Sequence, residues 1–325
     1  MNLRNLTLDL ISFSDDQFKV MLLAVTKSKS LRTLTLSSVH FDTDFKVEIL
    51  TGFLGSNKNQ MVKITLAENQ LTSLDTLLSM MYHNKSLKEL HLLNQAYFRS
   101  ESRMSEGEIK GAPLSKENRT LEKLSMSLGI LKTIKPLIRV FNTFTRLKEF
   151  SLSNIEFTNK MYFQVIDNYL ISNPYLAKLT LSNVKLGYDQ FIVLAGTIRN
   201  SRRLRSLDLS SNQLRNQGCI EVANMLVSNT GLQSLNLDNN DIREAGLVAL
   251  LKVLKENRSL VHLRLENNKF LFSRQLLGFL GDVFVYHNRT LRTMIMTSLS
   301  KSTPILRREQ DEGSEYDRDM ISMFI

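Results

Sequence analysis

A spacing of apolar residues, L-x-x-L-x-L, recurs along the whole chain. It stands at Leu3-Leu6-Leu8, Leu31-Leu34-Leu36, Met61-Ile64-Leu66, Leu87-Leu90-Leu92, Leu121-Leu124-Met126 and Leu147-Phe150-Leu152. It continues at Leu176-Leu179-Leu181, Leu204-Leu207-Leu209, Leu232-Leu235-Leu237, Leu260-Leu263-Leu265 and Leu291-Met294-Met296. From Leu3 to Leu291 there are ten steps, about 28.8 residues each. The last two apolar positions of a triplet are two residues apart, so a strand sends both to one side and their neighbours to the other. Between triplets the spacing turns helical: Phe18, Leu22 and Val25; Val222, Ala223 and Leu226; Leu247, Leu250, Leu251 and Leu254. No strand-helix unit of this size buries its own apolar face, so the units must stack. Helices are wider than strands, which predicts a curved stack with the parallel sheet on its concave side.

A further position repeats three residues after each triplet. It is Asn at Asn69, Asn212, Asn240 and Asn268, and Val or Ile at Ile11, Val39, Ile155 and Val184; Gln95, Gly129 and Leu299 depart from both. An apolar residue usually follows two positions on, as at Phe41, Leu71, Phe157, Leu186, Leu214, Ile242 and Phe270. Triplet, Asn and following Leu together resemble the leucine-rich-repeat family, and a period near 28 is similar to its ribonuclease-inhibitor-like class. The resemblance covers residues 1–299. It implies an α/β solenoid, a horseshoe of about eleven strand-helix repeats, followed by a charged tail at 300–325 with an apolar end.

Helix ends carry their own mark. Asn stands three residues before the first leucine at Asn84, Asn118, Asn173, Asn229, Asn257 and Asn288. Asn tolerates the left-handed conformation that closes helices, which predicts that role here. Two segments break the rhythm. Residues 94–117 lack helical spacing and read as a long loop insertion, functional or disordered. The tail joins an acidic stretch, Glu309 to Asp319, to the apolar Met320–Ile325; it is either a disordered terminus or a segment that docks on the last repeat or on a partner. No N-terminal cap is visible before Leu3, so either a partner covers that edge or the first repeat caps the stack itself.

The 325 residues carry 42 Lys and Arg against 32 Asp and Glu, a net +10 that favours acidic partners. No apolar run reaches the 20 or so residues of a membrane span, and no secretory signal opens the chain. With one cysteine, Cys219, the expectation is an intracellular, cytoplasmic protein, with cytoskeleton or cilium as settings, and no membrane contact. No P-loop, dinucleotide fingerprint or nucleophile elbow occurs; Gly52-Phe53-Leu54-Gly55 lies in a helical stretch. Cys219 reads as a packing residue. The five histidines form no ligand set; His91 and His262 both face outward on strands six repeats apart. No catalytic residue, cofactor, metal or small-molecule substrate is expected. Four of the five Asn-x-Ser/Thr sequons coincide with the helix-closing Asn, which argues against glycosylation.

The sheet's outer face then carries the functional expectation. Its charges, Lys63, Lys123, Lys178 and Arg264 against Asp9, Glu89, Glu149, Asp208, Asp238 and Glu266, leave a slight negative balance. Nucleic acid in the groove is therefore disfavoured, and no aromatics are there to stack bases. Chemical variety concentrates late, at Asp208, Asn236, Asp238, His262, Arg264 and Glu266. This set is either a protein-binding patch or a solvated polar face. Basic residues gather where helices end, among them Arg202, Arg203, Arg205, Arg258, Arg289 and Arg292. They either complement helix dipoles or form a rim that meets an acidic protein surface. The function expected is a non-enzymatic protein-protein interaction scaffold, or a subunit of a larger assembly, cytoskeletal or axonemal. The alternatives are a Ran-GTPase-activator-like regulator of a small GTPase, or RNA binding along the rim.

Overall fold

A computed structural model describes residues 3–39, 41, 43–56, 60–69, 81–94, 117–131, 134–157, 159, 161–271, 273–296, 305–308 and 321–323. All eleven strands that the triplets predict form. The chain divides into two compact units: Met1–Tyr162 with Ser172–Leu176, and Phe163–Ile171 with Ala177–Ile325.

In the first unit, β1 (Asn5–Asp9), β2 (Thr33–Ser37), β3 (Lys63–Ala67), β4 (Glu89–Leu93), β5 (Lys123–Met126) and β7 (Glu149–Ser153) pair in parallel. Each position faces its counterpart one repeat on, as Leu34 faces Ile64 and then Leu90. A short second sheet pairs β6 (Gly129–Leu131) with β8 (Ile155–Phe157). The helices are α1 (Asp15–Lys27), α2 (Asp44–Gly55) and α3 (Lys135–Thr143), with a 3₁₀ turn at Met81–His83. Helix starts follow side-chain chemistry. Ser14 Oγ accepts from Gln17 N at 3.3 Å while Gln17 Oε1 accepts from Ser14 N at 2.9 Å, a capping box.

The second unit holds most of α4 (Tyr162–Ser172), then α5 (Tyr188–Asn200), α6 (Arg215–Leu226), α7 (Glu244–Leu254) and α8 (Arg274–Gly281), continued by a π-helical stretch to His287. Its parallel strands are β9 (Lys178–Ser182), β10 (Ser206–Asp208), β11 (Ser234–Asn236), β12 (His262–Leu265) and β13 (Thr293–Met296). From the tail, β14 (Ile305–Arg308) pairs antiparallel with β13, and β15 (Ile321–Met323) pairs antiparallel with β14. The long insertion, apart from Asn94 and Glu117, and the acidic stretch of the tail lie outside the described residues.

The core sits between strands and helices. Leu34, Leu36, Ile64, Leu66, Leu179, Leu181, Leu235 and Leu237 are all buried, each contributing about 1.5–3 kcal/mol relative to exposure. Phe18, Leu22 and Val25 meet them from α1, and Leu247, Leu250, Leu251 and Leu254 from α7. The first repeat differs: Leu6 and Leu8 are only half-buried, and Leu3, Leu10, Val20 and Leu23 are exposed.

The structure corrects the role assigned to the helix-closing asparagines. None of Asn84, Asn118, Asn173, Asn229, Asn257 and Asn288 has a positive φ. Most left-handed residues instead stand two places after the triplet's last residue, at Leu10, Ser38, Glu68, Asn94, Asn154, Asn183, Ser211, Asn239 and Asn267, with Gly129, Lys185, Arg215 and Asp241 close behind. There the chain must turn out of the strand. The six asparagines are buried, and their side chains reach across repeats. Asn229 Nδ2 donates to Ile198 O at 2.7 Å, and its Oδ1 accepts from Leu232 N at 2.8 Å. Asn257 donates to Leu226 O and Asn288 to Leu254 O in the same way, at 3.0 and 2.6 Å. An αL backbone is not what the site needs; an inward amide is. Burial also closes the sequons at Asn84, Asn118, Asn257 and Asn288 to modification in the folded chain.

A second set stands at the strand exits: Asn69 in the first unit, and Asn212, Asn240 and Asn268 as a ladder in the second. Asn268 Nδ2 donates to Leu237 O and Leu265 O at 2.9 and 3.0 Å, and its Oδ1 accepts from Asn240 N and Ile242 N at 3.0 and 3.1 Å. Replacing it by an apolar residue of similar size leaves buried backbone groups unpaired, at roughly 1–3 kcal/mol for each group that water cannot reach. Urea titration of Asn268→Leu is expected to show a loss of about 2–4 kcal/mol, against under about 0.5 kcal/mol for Asn224→Ala on the exposed face of α6.

Candidate functional site

The second unit brings the predicted patch together on three neighbouring strands. Asp208, Asn236 and Arg264 lie side by side in register, and Ser206, Ser234 and His262 form the next row. Asp238 and Glu266 follow at the strand ends. Several of these side chains are already engaged. Asp208 Oδ1 accepts from Ser210 N at 2.9 Å, and Asn236 Oδ1 accepts from Asp238 N at 3.0 Å, so both hold the strand exit. Asp238 Oδ2 accepts from Arg264 Nε at 2.8 Å, its Oδ1 accepts from Glu266 N at 2.6 Å, and Arg264 also bonds Glu266. His262 Nδ1 lies 2.7 Å from Thr293 Oγ1.

Charge follows burial within the triad. Burial pushes the Asp238 carboxyl above the usual range, against the pull of the Glu266 amide and Arg264. For Arg264, burial works downward, but its bond to Asp238 and the charges of Asp238, Glu266 and Asp208 outweigh it and raise the guanidinium further. The triad thus presents a fixed polar surface rather than loose charges.

On the first unit the outer face holds an arrangement that the column's alternating signs contained but a summed charge concealed. Lys63, Glu89, Lys123 and Glu149 pair across strands at 3.4, 3.4 and 3.2 Å. A parallel set joins Lys88 to Glu122 at 3.3 Å and Lys148 to Glu122 at 2.8 Å. Such pairs are worth about 0–1 kcal/mol each, but they cancel the face's charge locally. His91 sits among them, with Nε2 3.5 Å from Glu89 Oε2, too long for a strong hydrogen bond.

The rim residues all belong to the second unit, and all are exposed. Arg258 donates to Lys255 O at 2.7 Å, at the end of α7, where a cation meets the helix's last carbonyls. Arg205 donates to Gly231 O at 2.7 Å. Arg205, Arg258, Arg289 and Arg292 line one open depression of about 810 Å³, with Glu256 and His262 beside them; Arg202 and Arg203 do not line it. In the first unit Arg4, Lys29 and Arg32 border a similar hollow of about 610 Å³.

Cys219 is buried, donates from Sγ to Gly246 O at 3.3 Å, and burial pushes its thiol up to about 12. Among the described residues no group of three His, Cys, Asp or Glu is placed to hold a metal, and no helix is long and apolar enough to cross a membrane.

Among the described residues, one strand per L-x-x-L-x-L, helices behind most of them and Asn bridges at four strand exits define the architecture. The fold is a leucine-rich-repeat solenoid. No protein-family model and no curated protein matches the chain. Solved structures resemble it distantly. The Rad7–Elc1 complex of yeast matches over 90% of this chain and 76% of its own, at 17% identity and TM-score 0.47. An internalin from Listeria monocytogenes matches over 86% and 65%, at 15% and 0.48. The tropomodulin C-terminal domain from Caenorhabditis elegans matches over 43% and 83%, at 17% and 0.37. Likenesses this weak add nothing to the register and burial described above.

Two outcomes follow from these environments. Burial, and then the charge of Lys63, hold His91 below the ordinary imidazole range, Glu89 opposing. Below about pH 6.5 the unfolded chain therefore takes up a proton that the folded chain resists, and stability falls. Between about pH 7 and pH 5, chemical denaturation of His91→Gln is expected to show a smaller loss than the natural chain. Cys219 is expected to react with a chromogenic disulfide reagent only as fast as the protein unfolds; prompt labelling under native conditions would contradict its burial.

Proposed function

We propose that the chain is a protein-protein interaction module without catalytic activity, a scaffold or assembly subunit. Its contact surface is the outer face of β10–β12, around Asp208, Asn236, Asp238, His262, Arg264 and Glu266. The observation that carries this reading is the register: three strands bring six polar residues of five types side by side. The Asp238–Arg264–Glu266 triad fixes that surface before a partner arrives. Preorganised polar groups bind at less entropic cost than mobile ones. Ser206 and Ser234 beside them leave room for a partner's side chains. The exposed rim supports a partner with an acidic face, and a cytoskeletal or ciliary assembly, whose lattices are acidic, fits that charge.

The test is quantitative co-purification from the native cell after mild crosslinking. The natural chain is expected to recover one partner at near-stoichiometric yield. Asp208→Arg combined with Ser234→Arg is expected to lose at least about tenfold of it, at a melting temperature lowered by only about 2–4 °C through loss of the Asp208–Ser210 bond, while Asn224→Arg on α6 keeps it. A natural chain recovered free of any stoichiometric partner, or a partner retained by the double variant, would overturn the proposal.

A further inference from the structure

The rim of the second unit gathers unbalanced positive charge, as the hollow of Arg4, Lys29 and Arg32 does on the first unit with one cation fewer. On the first unit, each outward Lys in the Lys63–Glu149 row meets a carboxylate. Around the depression of the second unit, four arginines face a single Glu256. Their spacing is set by the repeat. Val261 N donates to Gln233 O, and Arg292 N donates to Val261 O, each at 2.8 Å; Gln233 N donates to Arg205 O at the same distance. Arg205 and Arg292 therefore share one row, three rungs apart, about 14 Å at ~4.8 Å per rung. Asn288 Nδ2 donates to Asn257 O at 3.2 Å, which sets Arg258 and Arg289 one rung apart. Like charges this close repel, and the arrangement is relieved by an anion.

Two of the four are held ready. Arg205 and Arg258 each spend one Nη1 on a backbone carbonyl, which orients the guanidinium and leaves its other N–H groups open. Neither Arg289 nor Arg292 has a carboxylate within ion-pair distance among the described residues. Of the lining hydroxyls, Ser259 donates to Asn229 O and Thr290 to Asn288 Oδ1, which leaves the guanidinium forks and Thr230 to provide the recognition.

We propose that this depression docks a short acidic peptide segment of a partner protein, lying across the strand starts. A guanidinium fork matches a planar carboxylate with two parallel bonds. A span of about 14 Å corresponds to four or five extended residues at ~3.3 Å each. The lining offers Val227 and Val261 but no Phe, Tyr or Trp, so base stacking there is limited to His262 and the guanidinium planes, and Glu256 opposes a dense run of phosphates. The site deepens the reading of the chain as a protein-binding module, and its lining adjoins the β10–β12 patch through His262.

Fluorescence anisotropy of the purified full chain with labelled hexaglutamate tests the site without any cellular partner, so its outcome is independent of the co-purification. Hexaglutamate is expected to bind at low salt and to weaken several-fold between about 50 and about 200 mM NaCl. Arg289→Glu with Arg292→Glu is expected to weaken it about tenfold or more, while Arg274→Glu on α8 changes it less than about twofold. Should the charge reversal impair folding, Arg289→Gln with Arg292→Gln removes the same charges without new repulsion, and a loss of at least about threefold is expected. Binding that is absent, or unchanged in the folded variant, would overturn the proposal. So would a labelled oligouridylate that binds more tightly and is lost with the same arginines, which would assign the rim to nucleic acid.

Discussion

The buried asparagine amide is the interaction on which the rest of the structure depends. Leucine burial supplies most of the stabilisation, but it is non-directional and would tolerate a slipped stack. An amide whose hydrogen bonds reach both its own repeat and the one before cannot slip without orphaning buried backbone groups. Two such ladders run through the chain. One sits at the strand exits, at Asn69 in the first unit and through Asn212, Asn240 and Asn268 in the second; the other at the strand lead-ins, from Asn84 to Asn288. Together they pin both ends of a strand to the repeat before it.

Pinned strands make ordered surfaces. Every outward position becomes a row with one residue per repeat, so residues 28 or so apart in sequence become immediate neighbours. That is how Lys63, Glu89, Lys123 and Glu149 come to neutralise one another, and how Asp208, Asn236 and Arg264 meet. It also explains the rim. Arg258 and Arg289 each follow a ladder asparagine directly, so the geometry that buries the asparagine projects the arginine outward.

Much of the fold was legible in the sequence because its strongest signal, apolar spacing, is also its main source of energy. Leucines two apart must face inward on a strand, and Val222, Ala223 and Leu226 could only form one helical face. The ladder asparagines were visible as a repeat but not as bridges. A single Asn is compatible with a left-handed turn or with a buried amide, and only the position of the neighbouring repeat decides between them. The turn itself falls on Asn at five of nine such positions, but also on Leu10, Ser38, Glu68 and Ser211, so residue type marks it only in part. The candidate patch was legible as a set of polar columns. That Asp208 and Asn236 hold their own strand exits, and that Asp238 is buried beneath Arg264, depended on side-chain directions that spacing does not encode. The rim's arginines could be named, but not sorted into those that line the depression and those, Arg202 and Arg203, that do not.

Residue-resolved hydrogen exchange tests the ladders most directly. The backbone N–H groups of Val184, Leu186, Leu232, Ile242 and Leu260 lie outside helices and strands, and each donates to an asparagine Oδ1. If the ladders hold the repeats together, these amides exchange as slowly as those of the neighbouring strands. Exchange at the rate of open loop amides, with the strands still protected, would contradict the account.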